Sequence, residues 1–227
     1  MHFRGHPLPS ESELCERFGC SRGPVRQAMS TLRLEGLVSS GRGRRSIVLS
    51  TVPSQPFDTV LSFTQWCQQK DITSGQKTLW IKRAPAEPTM SAALDIKDGD
   101  PVVSLLRLRL VDDEPVMLER LNYPLEFGQH VLAFDPDSGS IYQQLIDSGV
   151  DIHHATRTID AVAAPEEDAQ LLGITAGDPL LRIKRRAFTR EGRPIENSDD
   201  RYLPQHSQFT LTATRETPAP GSMIGLG

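Results

Sequence analysis

At 227 residues, with 37% hydrophobic and 24% charged side chains, the chain is long enough for a small module beside a domain with its own core. No apolar run approaches the ~20 residues that cross a bilayer, and the opening Met1-His2-Phe3-Arg4-Gly5-His6-Pro7 lacks the apolar centre of a secretory signal, so a cytoplasmic protein away from membranes is expected. The net charge of −4 divides unevenly: residues 1–50 hold eight Arg against four Glu, or +4, which leaves −8 for the remainder and gives a basic head suited to phosphate backbones on an acidic body.

In chain order, Leu8-Pro9-Ser10-Glu11-Ser12-Glu13 starts a helix, with Ser10 as N-cap and Glu13 reaching back in a capping box. That helix runs to about Phe18. Gly19-Cys20-Ser21 makes a tight turn, and Ser21 caps a second helix that tolerates Pro24 in its first turn. This is helix-turn-helix spacing. Val25, Ala28, Met29 and Leu32 recur at i, i+3, i+4, i+7 as a core stripe, while Arg22, Arg26 and Arg33 share another face. Arg grips phosphate or reads guanine with paired donors, so such a helix suits the major groove.

Next, Gly36 to Leu49 places two apolar strands around a Gly- and Arg-rich turn, Gly41-Arg42-Gly43-Arg44, and reads as a β-hairpin wing with Arg42 at its tip. Leu8-Pro9-Ser10-Glu11, Ser21 to Ala28, Glu35-Gly36-Leu37-Val38 and Gly41-Arg42-Gly43 together resemble the DNA-binding domain of the GntR family. That resemblance implies a winged helix-turn-helix and roles at DNA for Glu11, Ser21, Arg22, Arg26 and Gly43, to which the residue chemistry adds Gly23, Arg33 and Arg42. Two positions depart from the family pattern. Ser12 stands where a phosphate-holding Arg is usual, and Gly23 replaces Thr or Ser. The family also has a helix ahead of Leu-Pro-Ser-Glu for which this sequence leaves no residues, so an upstream start or a truncated chain is expected.

Residues 51–58, rich in Ser and Pro, read as a linker between a head at 1–50 and a body at 59–210, with 211–227 as a flexible tail. The body alternates short helices with strand-like runs at Thr78–Arg83, Val102–Val111, Val116–Tyr123, Ile152–Ala163, Leu180–Thr189 and Ile195–Tyr202. An α+β fold follows, an antiparallel sheet with helices on one face. The pattern also recurs: Ala84-Pro85, Leu94, Gly99-Asp100-Pro101, Arg107 and Tyr123 have counterparts in Ala164-Pro165, Leu172, Gly177-Asp178-Pro179, Arg185 and Tyr202, at shifts of 80, then 78, then 79. Two similar halves are therefore expected to build one sheet.

Arg107 and Arg109 project from one side of their strand, and a hairpin loop spanning Asp112–Glu114 sets Arg107 opposite Glu119. The pair either lines a polar cavity or forms a cross-strand salt bridge. The Gly-Asp-Pro turn, Arg107-Leu108-Arg109, Pro115 to Glu119, Ser140-Ile141-Tyr142 and Pro194-Ile195-Glu196 to Pro204 are similar to the UTRA effector domain, and both domains together resemble the HutC subfamily of GntR regulators. The resemblance implies a pocket contacted by Arg107, Arg109, Glu119, Ser140, Tyr142, Glu196 and Tyr202, with a phosphate-holding loop at Ile72-Thr73-Ser74-Gly75, and a fold like that of chorismate lyase.

No nucleophile elbow, phosphate-binding glycine loop or metal signature occurs in the body, so no catalytic residue, metal or cofactor is assigned. His153 and His154 point to opposite sides of a strand and do not share a metal. Cys15, Cys20 and Cys67 are expected as free thiols. The reading is a homodimeric repressor on an inverted-repeat DNA operator, released by a small anionic effector such as a sugar phosphate or carboxylate. A ligand-independent dimeric DNA-binding protein and a chorismate-lyase-like enzyme are the alternatives.

Overall fold

The structure is a computed structural model, and it describes residues 6–34, 37–39, 45–48, 54–55 and 62–209. The chain forms two compact units, Met1–Asp58 with Gln208–Gly227, and Thr59–Ser207.

In the first unit, α1 (Glu11–Phe18) begins at Ser10, whose hydroxyl accepts from the Glu13 N–H at 3.2 Å while the Glu13 carboxylate accepts from the Ser10 N–H at 2.6 Å. The box satisfies two of the orphan donors at a helix start. Gly19 ends the helix at φ 61°, a conformation that side chains other than glycine resist. On α2 (Arg22–Leu34), Val25 and Met29 are buried against Val38, with Leu8, Leu14, Cys15, Cys20 and Leu32 around them. Ala28 is exposed rather than buried as its spacing predicts. It lies at the rim of the stripe, and α1 with Val38 covers only the Val25–Met29 seam.

The wing keeps its antiparallel base, with Val38 bridged to Val48 and the Ser39 N–H donating to the Ile47 carbonyl at 2.9 Å. A third segment joins it. Pro7 bridges Ile47, the Leu8 N–H donates to Ser46 at 2.7 Å, and the Val48 N–H donates to His6 at 3.0 Å. The tip, including Arg42 and Gly43, lies outside the described residues.

The second unit contains α3 (Phe63–Gln69), β2 (Ser74–Pro85), α4 (Pro88–Leu94), β3 (Pro101–Val111), β4 (Glu114–Pro124), α5 (Leu125–Val131), α6 (Ile141–Asp147), β5 (His154–Ala163), α7 (Glu166–Leu172), β6 (Pro179–Phe188) and β7 (Pro194–Tyr202). The strands form one sheet in the order β2-β3-β4-β7-β6-β5, antiparallel throughout. Two further short strands belong to the first unit: β1 (Ser54–Gln55), inside the expected linker, pairs in parallel with β8 (Gln208–Phe209). The predicted tail at 211–227 lies outside the described residues.

Helices cover both faces of the sheet, which corrects the expectation of one. Leu105, Leu121 and Tyr123 pack on Phe127 and Val131 of α5 and on Ile141 and Leu145 of α6. On the opposite face, Leu106, Leu118 and Leu180 pack on Ala169 and Leu172 of α7, and Val102 packs on Leu94 of α4. The run Val102 to Arg107 is buried at every position, as a strand covered on both sides must be.

The β3–β4 hairpin reaches the expected register by a different route. Its turn has two residues, Asp112 and Asp113, both at positive φ (50° and 67°), with Val111 paired to Glu114. A bulge at Val116 then restores the alignment of Arg107 with Glu119.

The repeat is visible in the backbone. Ala86 donates to Asp100 and Ala164 to Asp178, each at 2.8 Å, while Gly99 and Gly177 return to Ala86 and Ala164, each at 2.9 Å. Ala86, not Ala84, is therefore the partner of Ala164, and the shift is 78 from this turn to Arg107 and Arg185. In this relation β2, β3 and β4 correspond to β5, β6 and β7, with α4 matching α7.

Candidate functional site

Two groups of side chains carry the predicted chemistry, one in each unit. In the first unit the N-terminal end of α2 presents Ser21, Arg22, Gly23 and Arg26 to solvent. A Cβ at Gly23 would meet nothing within 4 Å, so the backbone there is open to close approach. Glu11 is half-buried at the start of α1. Arg33 does not stand free with Arg22 and Arg26: it donates to the Ser46 hydroxyl at 3.3 Å and ties α2 to the wing base. Arg45 and Glu13 form an exposed pair at 3.2 Å that links the wing base to α1.

In the second unit, alternation along β3, β4, β6 and β7 projects Arg107, Arg109, Glu119, Arg185, Glu196, Asp200 and Tyr202 from one face of the sheet. Arg107 and Arg109 are 1% and 2% exposed, and each places an Nη1 3.5 Å from Glu119 Oε2. That is an ion-pair distance but a long one for a hydrogen bond. Arg109 also donates to the Thr64 hydroxyl of α3 at 2.7 Å and lies 4.8 Å over the Phe63 ring, while Arg107 donates to the Gly139 carbonyl at 3.4 Å. Arg185 donates to Glu196 Oε1 at 2.9 Å and faces Asp200 at 3.8 Å, with its guanidinium over the Tyr142 ring. Tyr123 and Tyr142 donate to the two Glu196 oxygens at 2.8 and 3.3 Å.

Ser140 caps α6 and its hydroxyl bonds that of Ser62, the cap of α3, at 2.9 Å, so two helix starts meet beside Arg107. Ser74 is placed differently from expectation. It and Gly75 already belong to β2, paired with Val111 and Leu110, and not to a loop. Its side chain lies beside Cys67, whose thiol burial pushes up to about 11 against the pull of Arg109 and Ser74.

Several polar atoms in the cluster are buried without a hydrogen-bond partner: Nε of Arg107 and of Arg109, Oε2 of Glu119 and Oδ1 of Asp200. Unmet buried polar atoms are uncommon and each needs an explanation. The ionisation states sharpen the question. Burial opposes charge on Glu119, but Arg109, Arg107 and Arg185 outweigh it and hold the carboxyl below the usual range. Asp200 goes the other way: burial, reinforced by Glu119 and Glu196, outweighs Arg185 and drives its carboxyl well above the usual range. Burial also makes Arg109 a weaker cation holder, with Arg107 adding repulsion against the attraction of Glu119. Three buried guanidiniums thus face Glu119 and Glu196 while burial disfavours the anionic form of Asp200, an arrangement short of negative charge.

Residues 69–208 match the UTRA domain, and residues 4–48 match the bacterial regulatory proteins of the gntR family. The chain belongs to the GntR family.

This GntR-family chain is 31% identical over 197 residues, 86% of its own length and 81% of the relative's, to the HTH-type transcriptional repressor NagR of Bacillus subtilis. It is 28% identical over 210 residues, 92% of its length and 85% of the relative's, to a probable fructoselysine utilization operon transcriptional repressor of Escherichia coli. Among solved structures it resembles PhnF from Mycobacterium smegmatis, with a TM-score of 0.69 at 25% identity over 95% of each chain. The two units are accordingly the winged helix-turn-helix and the UTRA domain of a transcription regulator.

Of the residues the sequence singles out in the UTRA domain, Arg107, Arg109, Glu119, Ser140, Tyr142, Glu196 and Tyr202 fall on or beside one buried cluster. The sequence reading missed Arg185, Asp200, Tyr123 and Thr64. Arg185 was within reach, because the repeat already pairs it with Arg107. His153 precedes β5 and so does not alternate with His154 as expected: the two rings meet edge-on with centroids 5.9 Å apart, His154 stacks on Phe188 at 4.9 Å, and no group of three metal-binding side chains occurs among the described residues. Cys15, Cys20 and Cys67 are free thiols.

Proposed function

We propose that this GntR-family protein is a repressor of the HutC type that leaves its operator when a small anion fills the guanidinium cluster of its UTRA domain. The observation that carries the proposal is the surplus of buried guanidiniums, Arg107, Arg109 and Arg185, with the Nε atoms of the first two unmet. Paired N–H donors suit the planar oxygens of phosphate or carboxylate, and a ligand of that kind would supply the missing negative charge. Glu119 and Asp200 offer unfilled oxygens to ligand hydroxyls or amides, with Ser140, Tyr142, Glu196 and Tyr202 at the border. Ser74 stands farther along, beside Cys67.

At DNA, Arg22 and Arg26 supply the major-groove contacts, flanked by Ser21, Gly23 and Glu11; Arg33 serves through its hold on the wing base, and Arg42 and Gly43, outside the described residues, are proposed as further DNA contacts on the sequence pattern alone. Two copies of the chain would set two α2 helices on an inverted-repeat operator. One relative is named as a probable repressor of a fructoselysine utilization operon, and fructoselysine carries a carboxylate, which supports an anionic metabolite. A thermal-shift screen against phosphorylated sugars, amino acids and carboxylates tests the reading, because a ligand that binds only the folded state raises its stability. A hit abolished by Arg109→Gln supports the site. A set of hits that all survive that substitution places the effector elsewhere.

A further inference from the structure

The two halves of the UTRA sheet share a plan, and they fill the same space differently. On the face away from the guanidinium cluster, α7 packs on Leu106, Leu108 and Leu118. The repeat carries these positions onto Lys184, Arg186 and Asn197, and the pairing agrees: Leu108 is opposite Leu118 as Arg186 is opposite Asn197. The neighbouring framework is unchanged, since Ala86, Leu94 and Val102 under α4 match Ala164, Leu172 and Leu180 under α7. Where one half is sealed by leucines, the other keeps an open cleft of about 400 Å³ between α4 and the sheet. That volume falls in the range of small-molecule sites.

The lining of the cleft has a definite chemistry. Thr156 and Thr158 of β5 lie opposite Arg186 and Lys184, so two hydroxyls and two cations alternate on the floor, with Asn197 beside them and Met90 and Ala93 of α4 as an apolar wall. Asp199 is itself part of the lining, but it accepts from Arg201 at 2.8 and 3.2 Å, and Asp160 outside the cleft accepts from Arg182 at 2.7 Å. Arg186 retains a buried Nε with no hydrogen-bond partner. A fold that needed only stability at this place had a leucine solution available, and the sibling half uses it.

We infer that the cleft bounded by α4, Thr156, Thr158, Lys184, Arg186 and Asn197 is a second anion site, suited to a phosphate or carboxylate carrying a small apolar part that rests on Met90. It stands on the comparison of the two halves and is independent of the guanidinium cluster on the other face. The test is calorimetric titration of the full chain with inorganic phosphate, before and after the paired change Lys184→Leu and Arg186→Leu. The number of phosphates bound per chain is expected to fall by one, while the melting temperature holds or rises because the leucines copy the sibling core. A second pair, Lys184→Gln and Arg186→Gln, keeps the surface polar and is expected to lose the same phosphate even if the leucine variant fails to fold. Unchanged stoichiometry in the glutamine pair overturns the inference. So does a variant that alters only self-association in sedimentation, which would make the cleft a surface between copies.

Discussion

Replacing Glu119 by Gln isolates the electrostatics of the UTRA cluster. In the native protein Glu119 is the shared partner of Arg107 and Arg109, at 3.5 Å from each, and all three side chains are nearly without solvent. Removing one member of a buried ion pair typically costs about 3–5 kcal/mol, since the remaining charge stays desolvated. Gln keeps the volume and one acceptor, so the lower figure, about 3 kcal/mol, is expected. For a unit of this size that corresponds to roughly 6–12 °C in melting temperature. The pH dependence has a definite sign. The folded-state pKa of Glu119 is lowered, so its stabilisation is present above the unfolded carboxyl value of about 4.3 and disappears as pH falls through the lowered folded value. Melting curves of the two proteins should therefore converge in acid. Inorganic phosphate, which replaces the lost anion, should raise the melting temperature of the variant more than that of the native protein. An unchanged melting temperature at neutral pH, or equal phosphate shifts in the two proteins, would refute the reasoning.

Asp200 has the opposite linkage. Its folded pKa is raised, so its contribution favours folding in acid and is lost as pH climbs from the unfolded value of about 3.9 through the raised folded value. Asp200→Asn should match the native protein in acid and exceed it at alkaline pH in urea unfolding; parallel curves would contradict the assignment. Gly128 of α5 is a packing constraint, because a Cβ there would lie 2.5 and 2.6 Å from Val103 Cβ and Cγ2. Gly128→Ala is expected to destabilise the UTRA domain by about 1–3 kcal/mol in the same assay, and a neutral result would mean that α5 lifts freely from the sheet.

Much of this arrangement was legible in local pattern. The Ser10–Glu13 box, the Gly19 stop, the alignment of Arg107 with Glu119 and the twofold repeat all rest on short-range rules that the packing obeys. What escaped depends on tertiary choices. The leucines at 106, 108 and 110 gave β3 a second apolar side, yet nothing in the 7-residue helices says which face each one covers, so both-sided cover was missed. Ala28 has core spacing but sits at the edge of the seam, and Arg33 reads as a free cation until Ser46 of the wing folds over it. Arg185 was identified as the repeat partner of Arg107, but the approach of β7 to both β4 and β6 is what brings it to Glu196 and Asp200. Thr64 reaches Arg109 only because α3 packs over the cluster, across 45 residues of chain.

The most direct measurement is fluorescence anisotropy of a duplex that the protein itself enriches from a random pool, with and without the anion found by thermal shift. The native protein is expected to lose DNA affinity by roughly 5–150-fold when the anion is present, the range of ordinary coupling between sites. Arg26→Ala should abolish DNA binding while keeping the thermal response to the anion. Arg109→Gln, shown to be folded by circular dichroism, should bind the duplex as the native protein does and ignore the anion. If Arg109→Gln still releases DNA on addition of the anion, or if the native protein holds its duplex unchanged, the guanidinium cluster is not the switch.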